Sequence, residues 1–404
     1  MWMEPYDQAA SVLNALSITV AGGFCALFVL RARRRADAER IKTSLEKHKN
    51  YFAYLSMSLG STDALLPPPG RLTPADLKAI QIKLLEWMET IGGEYRDQLT
   101  DLCRDLGLVE LERKRLRSAR HGVRLEAAYR LGMMRAAECT GELLQLLERE
   151  AGESTAFVVG RAAAKCAETL DDLRRVLLLL TEHHPEAHQL IADIAASSSL
   201  DPAPLFTELL AKEDCEAHLI VALTGLSGRN DPEVAGAVLR LIDSGYKEVR
   251  IKAAKVYLQV AHPLTPGRIG ELIRHPDWEI RAAAVKAVGR LQLDAHIGVL
   301  TDCLGDAEWW VRYYSAESLS RLGPAGFEAL CEAACGGENA ASLDFVRETV
   351  QEELSRAKAL VPQDTRQTAS YDRLFFIYQR KRRGAGVNRA EVQTRGRLAE
   401  RGPQ

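Results

Sequence analysis

Residues 249–257 read VRIKAAKVY, residues 280–288 read IRAAAVKAV and residues 311–319 read VRYYSAESL. The pairs Val249-Arg250, Ile280-Arg281 and Val311-Arg312 therefore recur every 31 residues. Ala253, Ala284 and Ser315 stand four residues after the apolar member. Tyr257, Val288 and Leu319 stand eight after it, and Val260, Leu291 and Leu322 eleven after it. Those offsets trace one face of an α-helix. A second apolar segment follows each of the first two. A helix pair of this size cannot bury its apolar faces alone, so it stacks on its neighbours. The expected fold class is all-α, an α-solenoid of helical pairs, which suits binding better than reaction.

The pattern extends upstream. In Arg120-His121-Gly122-Val123-Arg124-Leu125-Glu126-Ala127-Ala128, the valine, arginine and first alanine keep the same offsets, and Leu131 and Met134 complete the face. Weaker units fall around residues 157–170, 187–194 and 217–226, giving about seven units up to Gly323. Second helices are expected over 141–149, 170–181, 202–210, 232–244, 266–274 and 294–304. Pro185, Pro202, Pro232, Pro266 and Pro276 sit at or near their starts and turns, where a missing N–H costs little.

An acidic residue, then Val/Ile-Arg, then small residues and a closing leucine: units of this form resemble the HEAT-repeat family, in particular the short PBS-lyase HEAT-like repeats. The resemblance is carried by residues 244–323 and 118–134 and is diffuse between them. It implies a helical-pair solenoid that binds proteins as a scaffold or adaptor, with first helices on the convex side and second helices lining the concave face. Some relatives attach bilin chromophores to light-harvesting proteins and others bind damaged DNA. The residues themselves support neither chemistry independently.

At the other end, Ser11 to Leu30 is uncharged and is followed by Arg31, Arg33, Arg34 and Arg35. A helix of that length just crosses a hydrocarbon core of roughly 30 Å. Ser11, Asn14, Ser17 and Thr19 weaken its hydropathy, and Gly22-Gly23 interrupts it. Glu4 and Asp7 precede the run, which is the reverse of a secretory signal peptide. The positive-inside rule then gives a short outer N-terminus and a cytoplasmic body on the inner or plasma membrane. The expected order is an extracytoplasmic stretch (1–10), a transmembrane helix (11–30) and a basic juxtamembrane helix and linker (31–70). A helical cap (71–110) and the repeats (111–335) come next. A C-terminal helical segment (336–383) and a disordered basic tail (384–404) end the chain. Pro67-Pro68-Pro69-Gly70 marks the linker, and Thr73, Pro74 and Asp76 start the first cap helix.

The formal charge of -2 hides basic ends and an acidic middle. That makes nucleic acid an unfavoured partner. The eight cysteines are scattered without a CxxC pair, which indicates neither a zinc site nor a disulfide framework. His183, His184 and His188 form the one histidine cluster, broken by Pro185 and lacking a third ligand at metal-site spacing. There is no phosphate-binding glycine loop, dinucleotide motif or nucleophile elbow. Cys331 and Cys335 share a helical face, as packing also predicts. No catalytic residue, metal or cofactor is assigned.

Three sets of residues remain. Arg124, Arg250, Arg281 and Arg312 are expected to run along the solenoid and pair with a carboxylate near the preceding turn. The candidates are Glu248, Asp277, Glu279, Asp306 and Glu308. Tyr246, Trp278, Trp309, Trp310, Tyr313 and Tyr314 lie at turn-to-helix junctions and form a candidate protein-binding ridge, with Trp278 and Trp309 side by side. Phe375, Phe376, Arg380, Lys381, Arg382 and Arg383 join an aromatic run to a basic block that would contact a membrane or partner, or cap the last repeat. The functional expectation is a membrane-tethered scaffold or adaptor that organises protein partners at the cytoplasmic face. A membrane enzyme or export complex is the candidate partner. The alternative is a chromophore lyase-like accessory protein acting on a protein substrate.

Overall fold

The structure is a computed structural model that describes residues 4–61, 64–212, 214–229, 231–259, 266–336, 344–361 and 367–383. Val260 and the tail 384–404 lie outside the described residues. All regular structure among the described residues is helical. Two compact units are formed, Met1–His184 with Asp193–Pro202, and Pro185–Ala192 with Ala203–Gln404. The division falls where Pro185, Ser197–Ser199 and Pro202 interrupt helical pairing.

The first unit opens with α1 (Glu4–Lys47), a helix of 44 residues. The expected break between a membrane helix and a separate juxtamembrane helix does not occur at Arg31. No proline or turn-forming residue follows Leu30, so the ladder runs on to Lys47. Leu16–Lys47 is long and apolar enough, by length and composition, to cross a membrane, and its apolar stretch is unburied. Leu16, Ile18, Phe24, Leu27 and Phe28 are all exposed.

Next come α2 (Lys49–Ser58), α3 (Pro74–Thr90), α4 (Glu94–Asp105) and α5 (Leu108–Arg115). Thr73 caps α3 with a capping box. Its hydroxyl accepts from the Asp76 N–H at 3.2 Å, and the Asp76 carboxylate accepts from the Thr73 N–H at 3.0 Å. The same carboxylate, only 2% exposed, takes Lys47 at 2.9 Å and lies 3.1 Å from His48 Nε2. One side chain thus fixes the end of α1 to the start of α3. Helix α5 escaped the sequence reading. Gly107, at φ 68°, turns the chain between α4 and α5 in the left-handed region, which glycine enters without strain.

The repeats then follow as helix pairs: α6 (His121–Met134) with α7 (Thr140–Glu150), and α8 (Ala156–Cys166) with α9 (Leu170–His183). Helix α10 (His188–Ala196) and α11 (Ala203–Lys212) come next. In the second unit, α12 (Glu216–Gly225) pairs with α13 (Pro232–Leu239) and α14 (Lys247–Gln259) with α15 (Pro266–Ile273). Helix α16 (Trp278–Arg290) pairs with α17 (Ile297–Cys303) and α18 (Trp309–Arg321) with α19 (Gly323–Gly336). Helix α20 (Asp344–Leu360) and a helix over 367–383, α21, complete the description.

The 31-residue register is visible in the core. Val249, Ile280 and Val311 are fully buried, as are Ala253 and Ala284, Val288 and Leu319. Successive first helices approach closely where a side chain is missing. A Cβ on Gly289 would stand 2.7 Å from Ser318 Cα, and one on Gly132 would stand 2.7 Å from Ala162 Cα. Burial of these faces, at roughly 25 cal/mol per Å² of apolar area, is the main stabilising term for helices too short to persist alone.

Candidate functional site

The repeated arginines are structural rungs. Arg250 Nη1 donates to the carbonyls of Ser244 (2.8 Å) and Gly245 (3.2 Å), while its Nε donates to Asp277 Oδ2 at 2.9 Å. Arg281 grips His275 and Pro276 carbonyls, both at 2.9 Å, and holds Asp306 bidentately with two bonds of 2.9 Å. In the first unit Arg124 does the same with Ser118, Ala119 and Glu150. The acid thus comes from the following turn, not the preceding one; the preceding turn supplies carbonyls. The two carbonyls take Nη1, which leaves the Nε side of the guanidinium for the carboxylate. Of the candidate acids, Asp277 and Asp306 serve as rungs, and Glu279 instead pairs with Lys247 at 2.9 Å. Burial alone would raise the Asp306 pKa, but the Arg281 hydrogen bonds hold it below the usual carboxylate value. Arg312 holds the carbonyls of Asp306 and Ala307, both at 2.8 Å, and its buried Nε has no described partner.

With the arginines occupied, the aromatic residues at the helix starts become the candidate site. Trp309 and Trp310 are each 46% exposed, a large apolar area for adjacent residues. Trp309 stacks on Tyr313 with ring centroids 5.1 Å apart, and Trp310 stacks on Tyr314 at 5.8 Å. The two tryptophans meet edge to face at 4.7 Å. Offsets of four residues place each stacking pair on one helix face, and the one-residue step turns the two pairs onto different faces.

One of those faces opens onto a groove of about 520 Å³ across α14, α16 and α18. Ala282, Ala283 and Ala287 with Leu258 make its floor, and Trp278, Trp310 and Tyr314 its walls. Lys255, Lys286, Arg290 and Arg321 stand at its rim with Glu279. Lys286 Nζ lies 4.9 Å from the Tyr314 ring centroid, in cation–π range. Trp278 therefore shares a groove with Trp310, and no ring contact joins it to Trp309 among the described residues. Tyr246 is exposed and stands outside both the stack and the groove. The groove lies on first helices, whereas the resemblance drew attention to second helices.

The C-terminal set divides. Phe375 and Phe376 are exposed, the former stacked on Tyr371 at 5.7 Å. Arg380 and Lys381 are held by carboxylates of α19: Arg380 by Glu328, and Lys381 by Glu328 at 2.9 Å and by Glu332. Ile377 is buried and Tyr378 accepts from Gln351 at 3.2 Å. These contacts make α21 a cap on the last repeat and leave Arg382 and Arg383 exposed.

Thiol chemistry finds little support in the geometry. Burial pushes Cys103, Cys166 and Cys331 up to about 12 and Cys139 and Cys303 up to about 11. Cys25 and Cys215 are exposed. His184 is used in packing, its ring 4.7 Å from that of Phe157 and its Nε2 2.7 Å from the Ala151 carbonyl. No group of His, Cys, Asp or Glu suited to a metal occurs among the described residues.

The family-model comparison agrees on the fold. The family model described as HEAT repeats matches residues 265–355. Among solved structures, an engineered protein is 17% identical, with 83% of this chain and 99% of that one covered at a TM-score of 0.34. A chain from the structure of the Pds5–Scc1 complex is 12% identical at a TM-score of 0.31. There the match covers 82% of this chain and 61% of that one. Likeness at this level carries no argument about fold or function. No curated protein matches the chain. The chain is thus an all-α solenoid with a HEAT-repeat-like fold and one N-terminal helix long and apolar enough for a membrane span. The matches give no support to a specific tie to the PBS-lyase repeats.

Proposed function

We propose that this protein is a membrane-tethered scaffold whose second unit captures a protein partner in the groove of Trp278, Trp310 and Tyr314. The single observation that carries this reading is the exposure of Trp309 and Trp310 beside a groove with an apolar floor. Tryptophan and tyrosine supply large contact area at low entropic cost and dominate binding energetics when desolvated. The cationic rim selects a segment with apolar side chains flanked by carboxylates. The protein acts by binding rather than by catalysis, and α1 anchors it with its body on the cytoplasmic face. Tethering raises the effective concentration of a partner at the membrane surface, so modest affinity suffices. A membrane enzyme or export complex is the partner class best suited to such an arrangement. The chromophore-lyase alternative is weaker, because five thiols are driven toward the unreactive protonated form.

The test is affinity capture from solubilised membranes by the intact protein and by a Trp278→Ala, Trp310→Ala, Tyr314→Ala variant with unchanged helical circular dichroism. A partner held by the intact chain and lost by the folded variant is the expected result. A partner retained equally by both would remove the groove from the function.

A further inference from the structure

In the first unit, a pocket of about 250 Å³ lies among the ends of α3 and α6, the start of α4 and the last turn of α8. Arg96, Arg135 and Lys165 converge on it, with Tyr129 at its edge and Met88 and Met133 as apolar lining. Several arginines of this unit have a carboxylate within salt-bridge distance, as Arg104, Arg113, Arg115, Arg124 and Arg130 do. Among the described residues no carboxylate lies within 4 Å of Arg96, Arg135 or Lys165. Arg96 donates through Nη2 to the Met88 carbonyl at 2.8 Å, and its buried Nε has no hydrogen-bond partner among the described residues. Among the described residues, the hydrogen-bond partner of the Lys165 amine is the thioether of Met133, at 3.4 Å. The one carboxylate lining the pocket, Glu89, accepts the Tyr129 hydroxyl at 2.8 Å.

Like charges gathered in a partly desolvated pocket repel one another, and Glu89 and Asp97, the carboxylates that act on Lys165 and Arg135, offset that repulsion without forming an ion pair. Burial first, and then the charges of Arg161, Arg135 and Arg96, pull the Lys165 pKa below its usual value. Burial and Arg96 do the same to Arg135. Arg135 also occupies the left-handed region at φ 48°, at the helix C-cap where glycine is favoured. A bound anion would relieve the repulsion and satisfy the Arg96 Nε.

We propose that the pocket formed by Arg96, Arg135 and Lys165 binds a phosphate monoester or inorganic phosphate. Two guanidinium groups and an ammonium match an anion carrying close to two charges and several acceptor oxygens, where one carboxylate would leave charge uncompensated. The phosphate is supplied either by a soluble ligand or by a phosphatidate headgroup.

The experiment is calorimetric titration of the full chain in nanodiscs with inorganic phosphate, against chloride at equal ionic strength. Phosphate should bind and raise the melting temperature, where chloride does neither. Arg135→Gly and Lys165→Met should each weaken phosphate binding at least tenfold. The glycine variant should melt no lower than the parent, since glycine accepts the left-handed backbone. Absence of phosphate-specific heat in the parent, or unchanged affinity in both variants, overturns the proposal. Discs of phosphatidate and of phosphatidylserine at equal surface charge separate the two sources. Binding suppressed by phosphatidate alone assigns the headgroup, and equal binding in both assigns a soluble phosphate.

Discussion

At the residue scale, the rungs differ in a way that stability can measure. Arg281 holds a bidentate carboxylate and two carbonyls, while Arg312 holds two carbonyls only. A lysine reproduces neither the fork nor its spacing. Arg281→Lys should therefore cost about 2 kcal/mol and Arg312→Lys less than about 1 kcal/mol, read from urea midpoints. Equal losses would mean that the carboxylate half of the rung contributes nothing. Asp76 gives a second expectation. Burial would raise its pKa, yet the bonds from Lys47, Thr73 and His48 hold it well below its ordinary 3.8. A depressed carboxylate stabilises fully above its unfolded value and loses that contribution as pH falls through the folded one. Melting temperature should thus fall below about pH 4, and Asp76→Asn, costing about 2 kcal/mol at neutral pH, should flatten the fall.

At the scale of elements, two glycines make opposite predictions. Gly289 faces Ser318 so closely that alanine forces α16 and α18 apart, at a cost of about 1–3 kcal/mol. Gly236, inside α13, has nothing within 4 Å of where a Cβ would stand, and alanine there should stabilise by up to about 1 kcal/mol. Thermal melts of both variants check this, and a loss at Gly236 would count against the helix as described. The register that deciphers these helices was legible because identical spacing buries identical positions. Trp278 and Trp309 are equivalent in that register, but the groove takes Trp310, because one residue turns a side chain by about 100°. The phosphate pocket left no short-range signal, since Arg96, Arg135 and Lys165 come from three helix ends far apart in sequence. The Arg380 and Lys381 pairing was equally hidden, because an exposed basic run and a docked one share the same composition.

At the scale of the whole molecule, the tether can be tested through its thiols. Cys25 lies in the apolar part of α1 and Cys215 at the start of α12, and both are exposed in the isolated chain. Hydrocarbon excludes a water-soluble maleimide, so the reagent should label Cys215 and spare Cys25 in native membranes. Both should react once the protein is denatured in detergent. Labelling of Cys25 in intact membranes at the rate of Cys215 would remove the anchor.

The unbroken course of α1 has one more effect under that tether. Its 44 residues reach about 66 Å, roughly twice the hydrocarbon thickness. With its apolar stretch inserted as proposed, the part past Leu30 would be a stiff mast that Asp76 clamps at its top, giving the first unit a fixed bearing as well as a fixed height above the bilayer. One residue inserted after Arg35 would swing that bearing by about 100°, whereas seven would return it to within about 20° while lifting it about 10 Å. Activity that depends on which way the first unit faces should follow that helical rhythm, lost at one inserted residue and regained at seven.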